Sequence, residues 1–114
     1  GYIGTRPSSK SIRRVTVRIS ELTASRMTLL DAEKVVGRLN RLLTGWSQYF
    51  CLGPVSKSYK AVDAHTRFRL RHWLCHKHKV KGKGIGRYPD EHLYEVLDLV
   101  RLSERTRNLP WAKA

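Results

Sequence analysis

Apolar residues recur at helical spacing in four stretches, separated by clusters of Gly, Pro, Ser and charged residues. Ahead of the first stretch, Ser8, Ser9 and Ser11 offer N-caps. Ile12, Val15, Ile19 and Leu22 then fall one turn apart, while Arg13, Arg14 and Arg18 point elsewhere. This spacing predicts a helix ending near Ser25-Arg26. Thr28 and Asp31 read as a capping box that opens a second helix running to about Cys51. Ala32, Val35, Val36, Leu39, Leu42, Leu43, Trp46, Tyr49 and Phe50 give it one broad apolar face. Gly37 and Gly45 lie off the centre of that face. Each costs about 1 kcal/mol against Ala in a helix, so a close approach of another group is expected there.

Gly53-Pro54 interrupts the pattern, and Ser56 or Ser58 can cap a third helix reaching about Lys79. Its principal stripe is Tyr59, Val62, Thr66, Leu70 and Trp73, with a thinner one of Ala61, Ala64, Phe68 and Cys75 roughly opposite. Two stripes mean packing on both sides, or on one side with a partner still missing. Val80 to Arg87 is Gly-rich and basic, and is expected to be a mobile, unpacked loop. Pro89-Asp90-Glu91 opens a short fourth helix carrying Leu93, Val96, Leu97 and Val100, its acids at the positive end of the dipole. Leu109 and Trp111 suggest that the tail docks somewhere. The fold class is all-α, a small bundle of three principal helices and a short fourth. Residues 1–7 form an arm, and 8–114 a single helical domain.

Charge narrows the partners. Lys and Arg number 23 against 9 acids among 114 residues, which gives 23 − 9 = +14 and points to a polyanion. Apolar runs are too short to span a bilayer, and no apolar segment follows the N-terminus as a signal peptide would. The default compartment is therefore the cytosol, where the two cysteines stay reduced. The chain begins without Met, as a segment of a longer protein would. Cys75-His76-Lys77-His78 offers three zinc donors, but helix neighbours project about 100° apart and cannot close on one ion. The nine acids are scattered, and Asp90-Glu91 reads as helix capping, so neither a metal site nor a catalytic site is expected.

From His65 to Lys83 the chain carries Arg67, Arg69, Arg71, Lys77, Lys79, Lys81 and Lys83, four His, and no acid. These cations, with Arg87, are the expected phosphate contacts, and Arg14 and Arg18 extend the surface. Neutralising about six phosphates would give duplex-DNA affinity a log–log salt slope near −5. Gly82-Lys83-Gly84-Ile85-Gly86 is either a basic finger along a nucleic-acid backbone or a solvated linker. Trp46, Tyr49, Phe50, Tyr59 and Trp73 read as core, and Tyr88 as the base-stacking candidate.

Leu39-Asn40-Arg41-Leu42-Leu43-Thr44-Gly45-Trp46-Ser47-Gln48-Tyr49-Phe50 resembles the signature of the maturase-specific domain of group II intron reverse transcriptases. Ser56-Lys57-Ser58-Tyr59-Lys60, Arg67 to Trp73, Arg87 to Glu91 and Leu97 to Leu102 are similar to segments that follow it. Gly4 to Ser11 resembles the run from palm into thumb. The resemblance makes Gly45, Trp46, Tyr49, Phe50 and Trp73 the family-motif positions. It implies an α-helical thumb and domain X of a bacterial, cytoplasmic intron-encoded protein. Such a protein binds its intron RNA, aids splicing, and supports reverse transcription and retrohoming through a polymerase palm. The palm's Tyr-Ala-Asp-Asp turn does not occur here, so no catalytic residue is expected. Mg is expected only in the polymerase domain, leaving this chain without a cofactor. Expected partners are intron RNA, an RNA–DNA or DNA duplex and the remaining reverse transcriptase domains, with no membrane. Two other readings stay open: a module that docks target DNA, and a scaffold packed on the palm.

Overall fold

The computed structural model describes residues 8–48, 56–82 and 84–107, and among them regular structure is entirely helical. Helix α1 spans Ser9–Leu22, α2 Ala32–Gln48, α3 Ser56–Lys77 and α4 Leu102–Arg107. A 3-10 turn, Ser25–Leu29, links α1 to α2, and a π-helical turn, His92–Val96, precedes α4. None of the described helices is long and apolar enough to cross a membrane.

Ser8 opens α1 in extended conformation, its Oγ accepting the Ser11 N–H at 3.1 Å. Val15, Ile19 and Leu22 are buried as their spacing predicts. The helix stops at Leu22, short of Ser25-Arg26: Thr23 still donates its N–H and hydroxyl to the Ile19 carbonyl (3.1 and 2.7 Å), but its backbone leaves helical geometry at φ −112°. Ala24 then turns extended. The expected capping box does not form. Thr28 sits inside the 3-10 turn, its hydroxyl donating to the Ser25 carbonyl at 2.8 Å. Helix α2 starts after Asp31, whose carbonyl accepts the Lys34 and Val35 N–H groups. Val35, Val36, Leu39 and Leu43 are buried, while Leu42 and Trp46 pack at the margin. Among the described residues no close approach explains Gly37 or Gly45, since outside the helix's own backbone a Cβ on either would meet nothing within 4 Å. Tyr49, Phe50 and the expected end at Cys51 lie outside the described residues, as do the 1–7 arm, Lys83, Leu109 and Trp111.

Helix α3 is the spine, touching α1, the 3-10 turn, the π turn and α4. Tyr59, Val62, Thr66, Leu70 and Trp73 are all buried. Tyr59 donates to the Ser47 carbonyl at 2.8 Å, and its ring lies 5.7 Å from that of Trp46. Trp46 Nε1 donates to Ser11 Oγ at 2.9 Å, so α1, α2 and α3 meet at these two rings. The thinner stripe divides. Ala61, Ala64 and Phe68 face solvent, whereas Cys75 is buried.

Cys75 is buried because the Gly-rich loop, expected to be unpacked, folds back on α3. Val80 N–H donates to the Cys75 carbonyl at 2.8 Å, and Tyr88 N–H to the Gly84 carbonyl at 2.7 Å. Gly84, at φ +77°, rests on the Cys75 sulfur, where a Cβ would overlap it. The expected fourth helix shrinks to the π turn, and α4 forms beyond its last apolar residue, Val100. The π turn ends at Leu97, and Asp98 takes φ +62°, a value Asp tolerates better than most residues. Asn40 of α2 clamps the next stretch, donating to the Asp98 carbonyl and accepting the Val100 N–H, each at 2.8 Å. Asp63 then caps α4 from across the fold, its carboxylate accepting Leu102 N–H at 2.9 Å and Ser103 N–H at 3.0 Å. Leu93, Leu99 and Leu102 are buried by this arrangement, and Val96 is left exposed.

Candidate nucleic-acid interface on the third helix

Four of the expected phosphate contacts are bonded to the protein's own joints. Arg69 ties α3 to the end of α1, with Nε donating to Thr23 Oγ1 at 3.1 Å and Nη2 to the Ser20 and Thr23 carbonyls. Arg67 donates to the Tyr94 hydroxyl at 3.1 Å and pairs with Asp90 at 3.6 Å. Arg71 donates to the Tyr88 carbonyl at 2.7 Å and pairs with the same Asp90. Lys77 reaches the Thr28 carbonyl at 2.6 Å, its Nζ 5.5 Å from the Trp73 ring centre. Arg69, Arg71 and Lys77 thus face carbonyls at a helix end and in turns, and Arg67 a hydroxyl and a carboxylate, acceptors that only folding brings beside α3. Asp90 therefore clasps two arginines besides opening a helical turn. Burial lowers the pKa of Arg67, but the Tyr94 hydrogen bond and the charges of Tyr94, Asp90 and Asp63 outweigh that and leave it raised.

On α1, Arg14 is exposed, and Arg18 pairs with Glu21 at 2.9 Å in the open. Ser11, Arg14 and Arg18 share one helical stripe, and Ser11 meets Trp46 of α2. The α3 seam uses another stripe, Thr16 and Ser20, whose carbonyl and hydroxyl contact His65 Nε2 at 3.2 and 3.3 Å. Arg13, three residues before Thr16, lies on that seam stripe and is exposed. The seam thus favours Arg13 over Arg14 and Arg18 as the α1 cation beside α3.

Lys79, Lys81 and Arg87 are exposed as a phosphate contact requires. The structure adds Lys57 and Lys60, exposed on the outward face of α3 with Ala61, Ala64, Phe68, His72 and His76. Sequence reading stopped the basic block short of them because Asp63 intervenes. Folding takes Asp63 off the surface, leaving it 2% exposed as the α4 cap. Lys57 and Lys60 stand seven and four residues before Ala64, on one face of a helix, and that spacing was the available signal. The outward face from Lys57 to Lys81 consequently shows no carboxylate.

Among the aromatics, Tyr88 is not available for base stacking. It is 7% exposed, with its ring 5.4 Å from His92 and 6.4 Å from His78. The exposed ring is Phe68, 64% accessible and stacked on His72 at 6.3 Å with 10° between planes. Of the family-motif positions, Trp73 is fully buried, Trp46 half-buried, and Gly45 open on one side. Among the described residues, no group of three or more His, Cys, Asp or Glu is placed to hold a metal ion.

A family model described as the group II intron, maturase-specific domain matches residues 12–88, from the first turn of α1 through Tyr88. No curated protein and no solved structure matches the chain.

Proposed function

The chain belongs to the group II intron maturase-specific domain family, and on that premise we propose that it binds structured intron RNA through the outward face of α3, as the maturase portion of a longer intron-encoded protein. One observation carries the reading. A 22-residue helix in the matched region exposes lysines and histidines along its outer side, while its single carboxylate is buried in a structural role. A solubilising surface would mix both signs. Lys57 and Lys60 lie at one end of this face, and Lys79 and Lys81 follow the other end, with Phe68 between them. The major groove of A-form RNA is too narrow for side chains to read, so such a face grips backbone and shape, and Phe68 can stack on an unpaired base. The remaining reverse transcriptase domains, including a palm that would hold Mg, belong to the longer protein. Splicing support follows from holding the RNA in its folded form, and no polymerase step is assigned to a residue of this chain.

The test is a competition titration across salt. Its ligands are folded group II intron RNA, an unrelated structured RNA of equal length, an RNA–DNA hybrid and duplex DNA. Intron RNA is expected to win and to keep its margin at high salt, where counterion release contributes least. Loss of all four ligands together as salt rises would overturn the specific reading and leave only electrostatic grip. A lead for duplex DNA would replace it with target docking.

A further inference from the structure

Beside the outward face, the 3-10 turn and α3 enclose a recess of about 210 Å³ lined by Thr23, Ser25, Arg69, His72, Trp73 and His76. One liquid water takes up roughly 30 Å³, so the recess has room for a small hydrated ion. No carboxylate of the described residues lines it. Arg69, half-buried, uses Nε and Nη2 on Thr23 and Ser20, and its Nη1 has no partner among the described residues. Trp73 forms one wall at 1% exposure, and its Nε1 is a buried N–H that finds no acceptor among the described residues. Lys77, over the Trp73 ring, adds positive potential, as does exposed Arg26 on the turn. The nearest acid by sequence, Glu21 of α1, is paired with Arg18.

A spare guanidinium N–H, two exposed imidazole rings and unbalanced positive charge thus line this space, with the closed-off Trp73 indole in its wall. A tetrahedral oxyanion supplies several acceptor oxygens at once, and charge-assisted bonds from a guanidinium to such oxygens are among the strongest available. We propose that this recess is a phosphate-binding site, occupied either by a backbone phosphate of bound RNA or by free inorganic phosphate. His72 belongs both to the recess and to the stacked pair with Phe68, so a strand crossing the outward face passes the mouth of the recess. The RNA source rests on the function proposed above; the recess itself does not.

The experiment is an NMR titration of the full 114-residue chain with inorganic phosphate, at ionic strength held constant with chloride. The Trp73 indole N–H and Arg69 Nε–H resonances are expected to shift and saturate, while the Trp46 indole, already bonded to Ser11, stays put. Replacing the two exposed rings, His72→Gln with His76→Gln, is expected to weaken phosphate about tenfold, the equivalent of one charge-assisted bond. The amide spectrum checks that the fold persists. Non-saturating shifts spread over all exposed cations, or equal affinity in the double variant, would overturn the site. Intron RNA forms the second arm. Shifts of the same resonances, with weaker RNA binding in the double variant, identify the backbone phosphate as the occupant. RNA binding that leaves Trp73 unmoved and ignores the variant assigns the recess to free phosphate. A chain that takes up phosphate saturably but binds no RNA refutes the proposed function and leaves the recess standing.

Discussion

Gly84 shows how much one residue decides here. Its positive φ and its seat on the Cys75 sulfur make it the point where the basic loop closes on α3. Gly84→Ala is expected to lower stability by about 2–4 kcal/mol, from the φ penalty and the overlap combined. Urea unfolding measures the loss, and Cys75→Ala added to it should recover the steric share in a double-mutant cycle. An undiminished midpoint for Gly84→Ala would mean that the loop does not close there. Gly37 and Gly45 are the opposite case. With open space where their Cβ would stand, Gly37→Ala and Gly45→Ala are each expected to raise stability by about 0.5–1 kcal/mol. A loss on thermal unfolding would show a contact at those positions after all. Sequence alone treated the three glycines almost in reverse, because local periodicity carries no information on what lies across from a backbone.

At the scale of elements, α1 and the buried stripe of α3 were legible from the chain, since periodicity and a serine cap act within a turn or two. The fourth helix was not. Its apolar residues keep helical spacing through Val100, yet the segment breaks at Asp98 because Asn40 and Asp63 offer its backbone better partners. Asp63 lies 39 residues before the amide it caps, beyond any local rule. Asp63→Ala is expected to cost about 1–3 kcal/mol, since it opens the cap of α4 and strands two amides. Hydrogen exchange at Leu102 and Ser103 should accelerate more than exchange in α1. Uniform acceleration through every helix would instead mean that Asp63 supports the whole core. The Asp90 clasp is weaker. Its carboxylate is half exposed, and solvent screening holds each ion pair to a fraction of a kcal/mol. The raised pKa of Arg67 adds no pH dependence near neutrality, because its charge would be lost only as pH rises past arginine's ordinary range.

Across the whole molecule, the cations fall into two sets with different expected behaviour. Replacing Lys57, Lys60, Lys79 and Lys81 by Gln should leave thermal stability nearly unchanged and flatten the RNA salt slope by about 3, roughly 0.7–0.9 for each charge removed. Replacing Arg67 and Arg71 by Gln should do the reverse, lowering the unfolding midpoint first through the lost bonds to Tyr94 and Tyr88. Equal slope changes from both sets, in folded variants, would mean that the internal bonds open when RNA arrives.

The sequence by itself determined an all-helical chain, the apolar face of each long helix, a strongly basic third helix and the family signature around Trp46. Each of these is written in residue type and short-range spacing. Only the tertiary structure decided which cations remain available. Arg67, Arg69 and Arg71 meet carbonyls, hydroxyls and a carboxylate contributed by segments 17 to 49 residues away, while Lys57 and Lys60 gain a uniform surface once Asp63 is drawn inward. A charge in a sequence is fixed, but its partner is chosen by whichever distant backbone folding sets beside it.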